Sequence, residues 1–291
     1  MTPLKIFFVA AEVAPFASVG GLSQVMYFLP KALKDLGHDV AMFMPKYGTI
    51  DEKKHDILPL ITHLRVPTGD ASGTTHLVCN VKVRKAKKAD PTVYFLENME
   101  YYEQRANVYG YSDDPVRFGL LSRGALEFLK KNDWQPDIIH TNDWHTGYLV
   151  NYLRTVYKDD PKLKEIAILF TIHNLALQGI VDFRYVPPSE LDDANGPLAS
   201  LLSDRLSKQN ALKRGVMYAD IVNTVSERYS REILKPEYGQ GLDGFLKEVR
   251  AKLYGVLNGI DYEDFNPAKD KLIKKNFTAE DLINRVENKI D

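Results

Sequence analysis

The sequence is poor in cysteine and in net charge. Its one cysteine, Cys79, excludes an intrachain disulfide and a cysteine-based zinc site, and a reducing cytoplasm is the simplest setting for such a chain. We expect Cys79 to be a small strand or core residue, because it lies in the strand-like run HLVCNV. Lys plus Arg number 38 and Asp plus Glu 39, a formal charge of -1. This balance argues against a general nucleic-acid-binding protein, which carries a basic surplus.

Long hydrophobic runs are also missing. No stretch approaches the roughly 18 apolar residues that a membrane-spanning helix needs. The run KIFFVAA is followed at once by Glu12 and soon by Pro15, so it is too short for a secretory signal and fits a first strand. The 291 residues include 44% hydrophobic and 26% charged residues, which is typical of a globular protein and not of a disordered one.

Short β-rich runs alternate with helical patterns along the chain. Residues 6–11 and 40–44 read as buried strands, and the apolar spacing of residues 22–36, ended by Gly37, predicts a helix between them. Such a βαβ unit implies a parallel sheet. Further strands are predicted at residues 58–66, 76–83, 93–96, 137–140, 166–171, 221–224 and 256–257, and further helices at residues 115–130, 147–157, 203–218 and 227–234. We expect a surface loop at residues 187–197 and a charged tail that is helical from Thr278.

Polar clusters follow three of the predicted strands. The pair Gly20 and Gly21 lies between the first strand and helix, where a ligand can approach backbone N–H groups, although a plain turn explains the pair as well. The segment HTNDWH follows a strand that ends at His140, and His173 and Asn174 follow the next strand. Because ligands of open α/β sheets bind at the carboxyl ends of strands, these clusters are expected to share one site.

The chemistry of these residues favours a sugar-like ligand. His140 and His145 are five positions apart with no third ligand in a familiar arrangement, so no metal is predicted. Imidazoles can hydrogen-bond hydroxyl groups. Trp144 can pack on a pyranose ring, or it can lie in the core while Asn142 or Asp143 caps the following helix. No Ser-His-Asp or Cys-His arrangement is evident. The residues therefore point to a nucleotide-linked or polyhydroxylated ligand.

A further pair of carboxylates, Asp113 and Asp114, opens the helix predicted at residues 115–130. Carboxylates in a first turn complement the helix dipole, which is the favoured interpretation; a ligand contact is the alternative.

The same segments resemble, in order along the chain, the bacterial glycogen synthase and plant starch synthase family of glycosyltransferases. The matching segments are FVAAEVAP (8–15), GGL (20–22), LKDLGH (33–38), YGYSDD (109–114), RF (117–118), DIIHTNDWHTG (137–147), TIHNLA (171–176), QG (178–179), AD (219–220), TVS (224–226) and GVLNGID (255–261).

The resemblance implies the GT-B architecture, in which two Rossmann-like domains enclose the active site. Residues 1–258 would form the N-terminal α/β domain, a doubly wound and mostly parallel sheet, and residues 259–291 a linker or helix towards a missing C-terminal nucleotide-binding domain. The implied reaction is the retaining transfer of glucose from ADP-glucose to the non-reducing end of an α-1,4-glucan, in the cytoplasm and without a cofactor. The partners would be the donor, the glucan and a C-terminal domain, with no nucleic acid and no membrane.

The resemblance also assigns roles to residues. His145 would hydrogen-bond the donor glucose near the reacting carbon, and the backbone of Gly20 and Gly21 would face the donor phosphates. The other expected contacts are Ser18, Gln24, His173 and Asn174 on the donor side, and Asp113, Asp114, Asp143 and Trp144 on the acceptor side or in the cleft.

Two positions depart from the family pattern. Lys usually stands at the position of Ser18 and Asp at that of Gln24, and the first change removes a charge-assisted phosphate contact. These changes motivate an alternative, a non-catalytic glucan-binding or scaffold protein of the same fold. A third interpretation, a dehydrogenase-like nucleotide enzyme, lacks the G-x-G-x-x-G fingerprint after the first strand.

Overall fold

The structure is a computed structural model, and it describes residues 2–87, 90–180, 187–263 and 265–288. The chain divides into two compact units, residues 1–257 and residues 258–291. The first unit contains the sheet and every candidate site residue. The second, taken by itself, contains a short helix whose Glu287 pairs with Lys275 at 2.7 Å.

Nine strands of the described residues form one sheet. They are β1 Lys5–Val9, β2 Asp39–Pro45, β3 Leu58–Pro67, β4 His76–Arg84, β5 Thr92–Glu97, β6 Ile138–Asn142, β7 Ala167–Ile172, β8 Ile221–Thr224 and β9 Leu253–Gly255. Their order is β3-β4-β5-β2-β1-β6-β7-β8-β9. The neighbours from β5 to β9 in this order are parallel, and only the β3–β4 and β4–β5 pairs are antiparallel. The predicted mostly parallel α/β sheet is therefore confirmed.

Most of the helices lie in the connections between these strands, and the last lies in the second unit. The α-helices are α1 Gly21–Asp35, α2 Asp114–Lys131, α3 Gly147–Arg154, α4 Ala211–Tyr218, α5 Glu227–Glu232, α6 Asp243–Glu248 and α7 Asn284–Glu287. Shorter helical turns are the π-helix Met99–Glu103 and the 3-10 turns Trp144–Thr146, Pro188–Glu190, Asp204–Lys208 and Arg250–Lys252. No helix in the described part of the chain combines the length and apolar character that a membrane span requires.

The β1–α1–β2 unit forms as its sequence predicts. β1 lies between β2 and β6, and its side chains from Ile6 to Val9 are buried on both faces of the sheet, which accounts for its uninterrupted apolar run. α1 ends where Gly37 adopts φ +94° and donates its N–H to the Lys34 carbonyl at 2.9 Å. Cys79 lies buried in β4, and burial raises the pKa of its thiol to about 12, as expected for a core residue.

The helix predicted over residues 203–218 is wrong as one element. The chain forms the 3-10 turn Asp204–Lys208 and then α4, with Asn210 between them. The Asn210 side chain accepts a hydrogen bond from the Lys213 N–H at 2.9 Å, so it caps α4 and starts a new helix.

Two predictions near the end of the chain are also wrong. The last strand is Leu253–Gly255 instead of residues 256–257, although the Val256 N–H still donates to the Thr224 carbonyl at 2.8 Å. The tail is not helical from Thr278, because helix in the described part of this region is confined to Asn284–Glu287.

The predicted surface loop at residues 187–197 contains a buried anchor. Arg214 of α4 donates two hydrogen bonds of 2.8 Å, from Nε and Nη2, to the two carboxylate oxygens of Asp192. The Arg214 and Asp192 side chains are only 2% and 6% exposed. A bidentate ion pair shielded from water ties this loop to the helix, so the Asp192 side chain faces the protein and not the solvent.

Candidate functional site

Three loops meet at the carboxyl edge of the sheet. They follow β1, β6 and β7, which are neighbours in the sheet and run parallel. The first loop leads to Gly20 and Gly21, the second carries Asp143 to His145, and the third begins with His173 and Asn174. The sheet thus brings the three predicted clusters to one edge, where ligands of open α/β sheets bind.

His145 lies in an aromatic enclosure. Its ring centroid is 4.3 Å from that of Trp144 and 4.7 Å from those of both Tyr109 and Phe118. The Nδ1 atom is buried without a hydrogen-bond partner, and 5% of the residue is exposed. Burial, with the nearby Arg117 charge, lowers the His145 pKa to about 3. The imidazole is therefore neutral at physiological pH and can act by hydrogen bonding.

Asp143 fastens the second loop to the third. Its Oδ1 accepts hydrogen bonds from the N–H groups of His173, at 2.7 Å, and Asn174, at 3.2 Å. It holds φ at +54°, a region that is costly for a residue with a side chain. Burial raises its pKa to about 7. Both observations mark a residue that the surrounding structure constrains at a functional edge.

His173 is the more accessible of the two site histidines. It is half-buried, and its Nε2 lies 3.0 Å from the Asn142 Oδ1. The Asn142 amide donates to the Val9 and His140 carbonyls, so its oxygen must accept and His173 carries its proton on Nε2. Burial lowers the His173 pKa to about 4. The structure thus presents a neutral, oriented imidazole at the end of β7.

Asn174 is exposed next to His173. Its Oδ1 accepts a hydrogen bond from the Ala176 N–H at 3.0 Å, so the side chain turns back onto its own loop. Its amide N–H₂ is the group that remains for a ligand.

The loop that leads to Gly20 and Gly21, called the glycine loop below, already donates two hydrogen bonds to a carboxylate of the protein. Glu12, which follows β1 and is buried, accepts the Val19 N–H at 2.6 Å and the Gly20 N–H at 3.0 Å on its Oε2. Gly20 is the residue before α1, and Gly21 is exposed with open space around its Cα. An anion that binds at this loop would therefore contact N–H groups at the start of α1 and not the two N–H groups that Glu12 already accepts.

The two departures from the family pattern precede and follow the Gly20–Gly21 pair in the chain. Ser18 is exposed, and its hydroxyl lies 2.7 Å from the Ser23 hydroxyl, which in turn donates to the Gly20 carbonyl. Gln24 is exposed on the first turn of α1. Ser18 thus helps to shape the loop, and Gln24 is free to hydrogen-bond without adding charge.

Asp113 and Asp114 hold protein groups and do not cap α2. Asp113 pairs with Arg105 at 2.6 Å. Asp114 accepts the N–H groups of Gly110, at 2.8 Å, and Tyr111, at 3.2 Å, and forms a close ion pair with the fully buried Arg117. Asp114 lies in the first turn of α2, where its charge complements the helix dipole as the favoured interpretation expects, whereas the Asp113 side chain makes no capping bond.

Trp144 is placed in the core. Its ring packs edge-on against Phe118, with centroids 5.2 Å apart, and it is 8% exposed. A Cβ on Gly179 would lie 2.3 Å from the indole, so the third loop covers the ring closely. Of the two interpretations left open for Trp144, the buried one describes the structure.

His140 forms hydrogen bonds within the sheet. Its Nε2 is 2.6 Å from the Thr171 hydroxyl, which donates to the Asn223 Oδ1, so the chain of bonds links β6, β7 and β8. Its ring packs on Phe8 with centroids 4.6 Å apart, and burial lowers its pKa to about 3. His140 is thus engaged away from His145.

Sequence reasoning missed two features. One is the pairing of Glu12 with the Tyr109 hydroxyl, at 3.2 Å, which joins positions 97 residues apart. The other is a group of carboxylates interleaved with lysines, namely Glu52, Glu97 and Glu103 with Lys46 and Lys82. A cavity of about 410 Å³ adjoins this group and shares Glu97 and Glu103 with it. Neither feature has a local sequence pattern, because both depend on contacts between distant segments.

Fold and site together define a Rossmann-like domain whose carboxyl sheet edge carries polar side chains, among them the neutral imidazoles of His145 and His173. Residues 5–248 match the family described as the starch synthase catalytic domain. The chain therefore belongs to the starch synthase catalytic domain family.

Curated relatives agree with this family. A glycogen synthase of Geotalea daltonii is 42% identical over 280 residues, which cover 94% of this chain and 56% of the relative. A glycogen synthase of Moorella thermoacetica is 39% identical over 290 residues, covering 99% of this chain and 57% of the relative. The chain thus spans somewhat more than half the length of these relatives.

A solved structure has the same fold. The catalytic domain of starch synthase IV from Arabidopsis thaliana, bound to ADP and acarbose, matches with a TM-score of 0.80 at 31% identity. The match covers 99% of this chain and 58% of that one.

Proposed function

We propose that this chain supplies one wall of the active site of a glycogen or starch synthase. The reaction is the transfer of glucose from ADP-glucose to the non-reducing end of an α-1,4-glucan, with retention of anomeric configuration. The carrying observation is the convergence of the glycine loop, His145, His173 and Asn174 at one sheet edge. Family membership and the ADP and acarbose bound by the Arabidopsis relative support this choice of ligands.

The protonation states suit positioning more than proton transfer. His145 and His173 have pKa values of about 3 and about 4, so both imidazoles are neutral near pH 7. Neutral imidazoles can hydrogen-bond the hydroxyls of a donor glucose and orient its reacting carbon. The transition state is oxocarbenium-like, with negative charge growing on the leaving diphosphate. No cofactor enters this scheme.

The second wall is proposed to come from the part of the relatives that this chain does not span. Residues 259–291 would connect residues 1–258 to that C-terminal nucleotide-binding domain, carried on the same or a separate chain. Closure of the two domains would exclude water and limit hydrolysis of the donor. The cytoplasm is the proposed location, because the one cysteine is buried and unpaired.

The test is transfer of labelled glucose to glycogen. ADP-glucose and UDP-glucose are compared as donors, with this chain alone and with the separately expressed C-terminal half of a glycogen synthase. Transfer that needs both parts and prefers ADP-glucose supports the proposal. No transfer in any mixture, with both parts folded, contradicts it.

His145 is the first residue to replace in that assay. His145→Ala should lower the transfer rate by about 100-fold, since a contact made to the reacting sugar is lost. His173→Ala is measured alongside, and His76→Ala on β4 is the matched control that should retain the wild-type rate. A wild-type rate in His145→Ala would remove the role assigned to it.

A glucan-binding protein without turnover is the second candidate. Its supporting observation is the glycine loop, where Glu12 occupies two amides and Ser18 brings no positive charge. Glycogen binding with no glucose transfer, even after a C-terminal half is added, would favour it.

A further inference from the structure

Glu12 has two distinct sets of partners. Its Oε2 holds the Val19 and Gly20 N–H groups at 2.6 and 3.0 Å, and its Oε1 accepts the Tyr109 hydroxyl at 3.2 Å. The residue is 4% exposed, so these bonds are made largely out of water. Charge-assisted hydrogen bonds in such a place are strong and fix geometry.

The segment that presents Tyr109 is itself held firmly. Arg117, fully buried in α2, donates to the Val108 carbonyl at 3.0 Å. Asp114 accepts the N–H groups of Gly110 and Tyr111 on the other side of Tyr109. The backbone around Tyr109 is therefore anchored on both sides, and its ring has little freedom to shift.

Tyr109 also contacts the site histidine. Its ring lies 4.7 Å from the His145 ring with an interplanar angle of 31°, one side of the enclosure described above. The His145 Nδ1 has no hydrogen-bond partner, so packing by Tyr109, Phe118 and Trp144 sets the orientation of the imidazole. A displacement of the Tyr109 ring would thus be transmitted directly to His145.

We infer that Glu12 is a positioning residue that fixes the Gly20–Gly21 loop and the His145 imidazole relative to each other through the Tyr109 side chain. The importance of this coupling for catalysis rests on the proposed function, in which the loop faces the diphosphate and the histidine faces the glucose of one donor. One carboxylate then sets the separation of the two halves of the donor site. Glu12 acts through its neighbours and does not touch the ligand.

The chain offers a matched control for this inference. Glu127, in the C-terminal part of α2, accepts a hydrogen bond of 2.5 Å from the Tyr157 hydroxyl, and both residues are buried. Within the described residues, no hydrogen bond or ring contact joins this pair to Glu12, Tyr109 or His145. Tyr157→Phe therefore removes a similar buried Tyr–Glu bond elsewhere in the fold, together with the bond that the Tyr157 hydroxyl accepts from Arg123 Nε at 3.2 Å.

The experiment measures two NMR signals in the intact 291-residue chain. One is the imidazole nitrogen resonances of His145, assigned through its Ala variant, and the other is hydrogen exchange of the Gly20 amide. Tyr109→Phe keeps the ring and removes only the hydroxyl. Glu12→Gln replaces one acceptor oxygen with an N–H₂ group that cannot accept. Both variants should shift the His145 signals and speed Gly20 exchange by about tenfold, because a charged acceptor is lost or loosened.

Each outcome decides the inference. Unchanged His145 signals in Glu12→Gln and Tyr109→Phe would overturn it, as would equal shifts in Tyr157→Phe, which would indicate general loosening. If Glu12→Gln fails to fold, Tyr109→Phe alone remains decisive. None of these signals requires glucose transfer, so a failure of this inference can be distinguished from a failure of the proposed reaction. Where transfer is measured, Tyr109→Phe should lower kcat and leave the KM for glycogen unchanged.

Discussion

Three histidines of β6 and of the loops after β6 and β7, two buried and one half-buried, should make the fold sensitive to mild acid. His140, His145 and His173 have pKa values lowered from 6.5 to about 3, about 3 and about 4, mainly by burial. The folded state therefore resists protons that the unfolded chain accepts. Stability is lost as the pH falls below the unfolded value of 6.5 and continues to fall towards the folded values.

Asp143 acts in the opposite direction. Its pKa is raised from 3.8 to about 7, so the folded state takes up a proton that the unfolded chain does not hold between these values. That contribution is present below pH 3.8 and disappears as the pH rises through about 7. Acidification from pH 6.5 therefore relieves the cost of burying the charged Asp143 carboxylate, and this gain partly offsets the loss of stability from the histidines.

The net effect can be worked out for one pH unit. Between pH 6.5 and 5.5 each histidine costs about 1 kcal/mol, because its unfolded form goes from about half to about nine-tenths protonated while its folded form stays neutral. Three histidines cost about 3 kcal/mol, and Asp143 returns about 1 kcal/mol over the same step. The free energy of unfolding should thus fall by about 2 kcal/mol, a large part of a normal stability.

Urea unfolding at the two pH values, followed by tryptophan fluorescence, measures this difference. Asp143→Asn keeps an oxygen acceptor for the His173 and Asn174 amides but does not titrate, so its loss should be about 3 kcal/mol, larger than in the wild type. A free energy of unfolding that is constant or increases between pH 6.5 and 5.5 would refute the reasoning. So would a smaller loss in Asp143→Asn than in the wild type.

Three further outcomes are expected. Asp192→Ala should destabilise the fold by about 3–5 kcal/mol in urea unfolding, because it leaves the buried Arg214 charge unpaired; a loss below about 1 kcal/mol would show that the pair is solvated. Gly147→Ala would place a Cβ 1.9 Å from the Ala211 carbonyl oxygen, so soluble expression or the thermal midpoint should drop sharply. Cys79 should react with a thiol reagent only on unfolding, since its pKa is about 12 and it is buried; rapid reaction in the native state would contradict its placement.

Local patterns were sufficient for most of the fold. The βαβ unit ended by Gly37 follows from helical spacing and from the glycine conformation at the helix end, which are properties of a few neighbouring residues. The helix at residues 203–218 was less well predicted because the Asn210 side chain can either continue a helix or cap a new one. Which alternative wins depends on the Asp192 loop packed against α4, which also binds the Asn210 N–H at 2.8 Å.

The site was predictable by position and less so by role. The sheet order places the expected loops together, since strand ends of a parallel sheet share an edge. The burial of Trp144 and the loop-fastening role of Asp114 depend on which distant segments cover them. Glu12 could be seen only as the residue that ends an apolar run, because its partner Tyr109 lies 97 residues along the chain.

The position of β1 at the middle of the sheet has a consequence for synthesis of the protein. One edge of β1 is covered by β2 soon after it emerges, but the other pairs with β6, which begins only at Ile138. A nascent chain shorter than this carries an apolar strand with an open edge, a template for pairing with another chain. A ribosome that pauses before β6 has left the exit tunnel should therefore give more aggregated product than one that pauses after β6 has emerged. The order of strands in the sheet thus leaves the growing chain prone to aggregation until β6 can pair with β1.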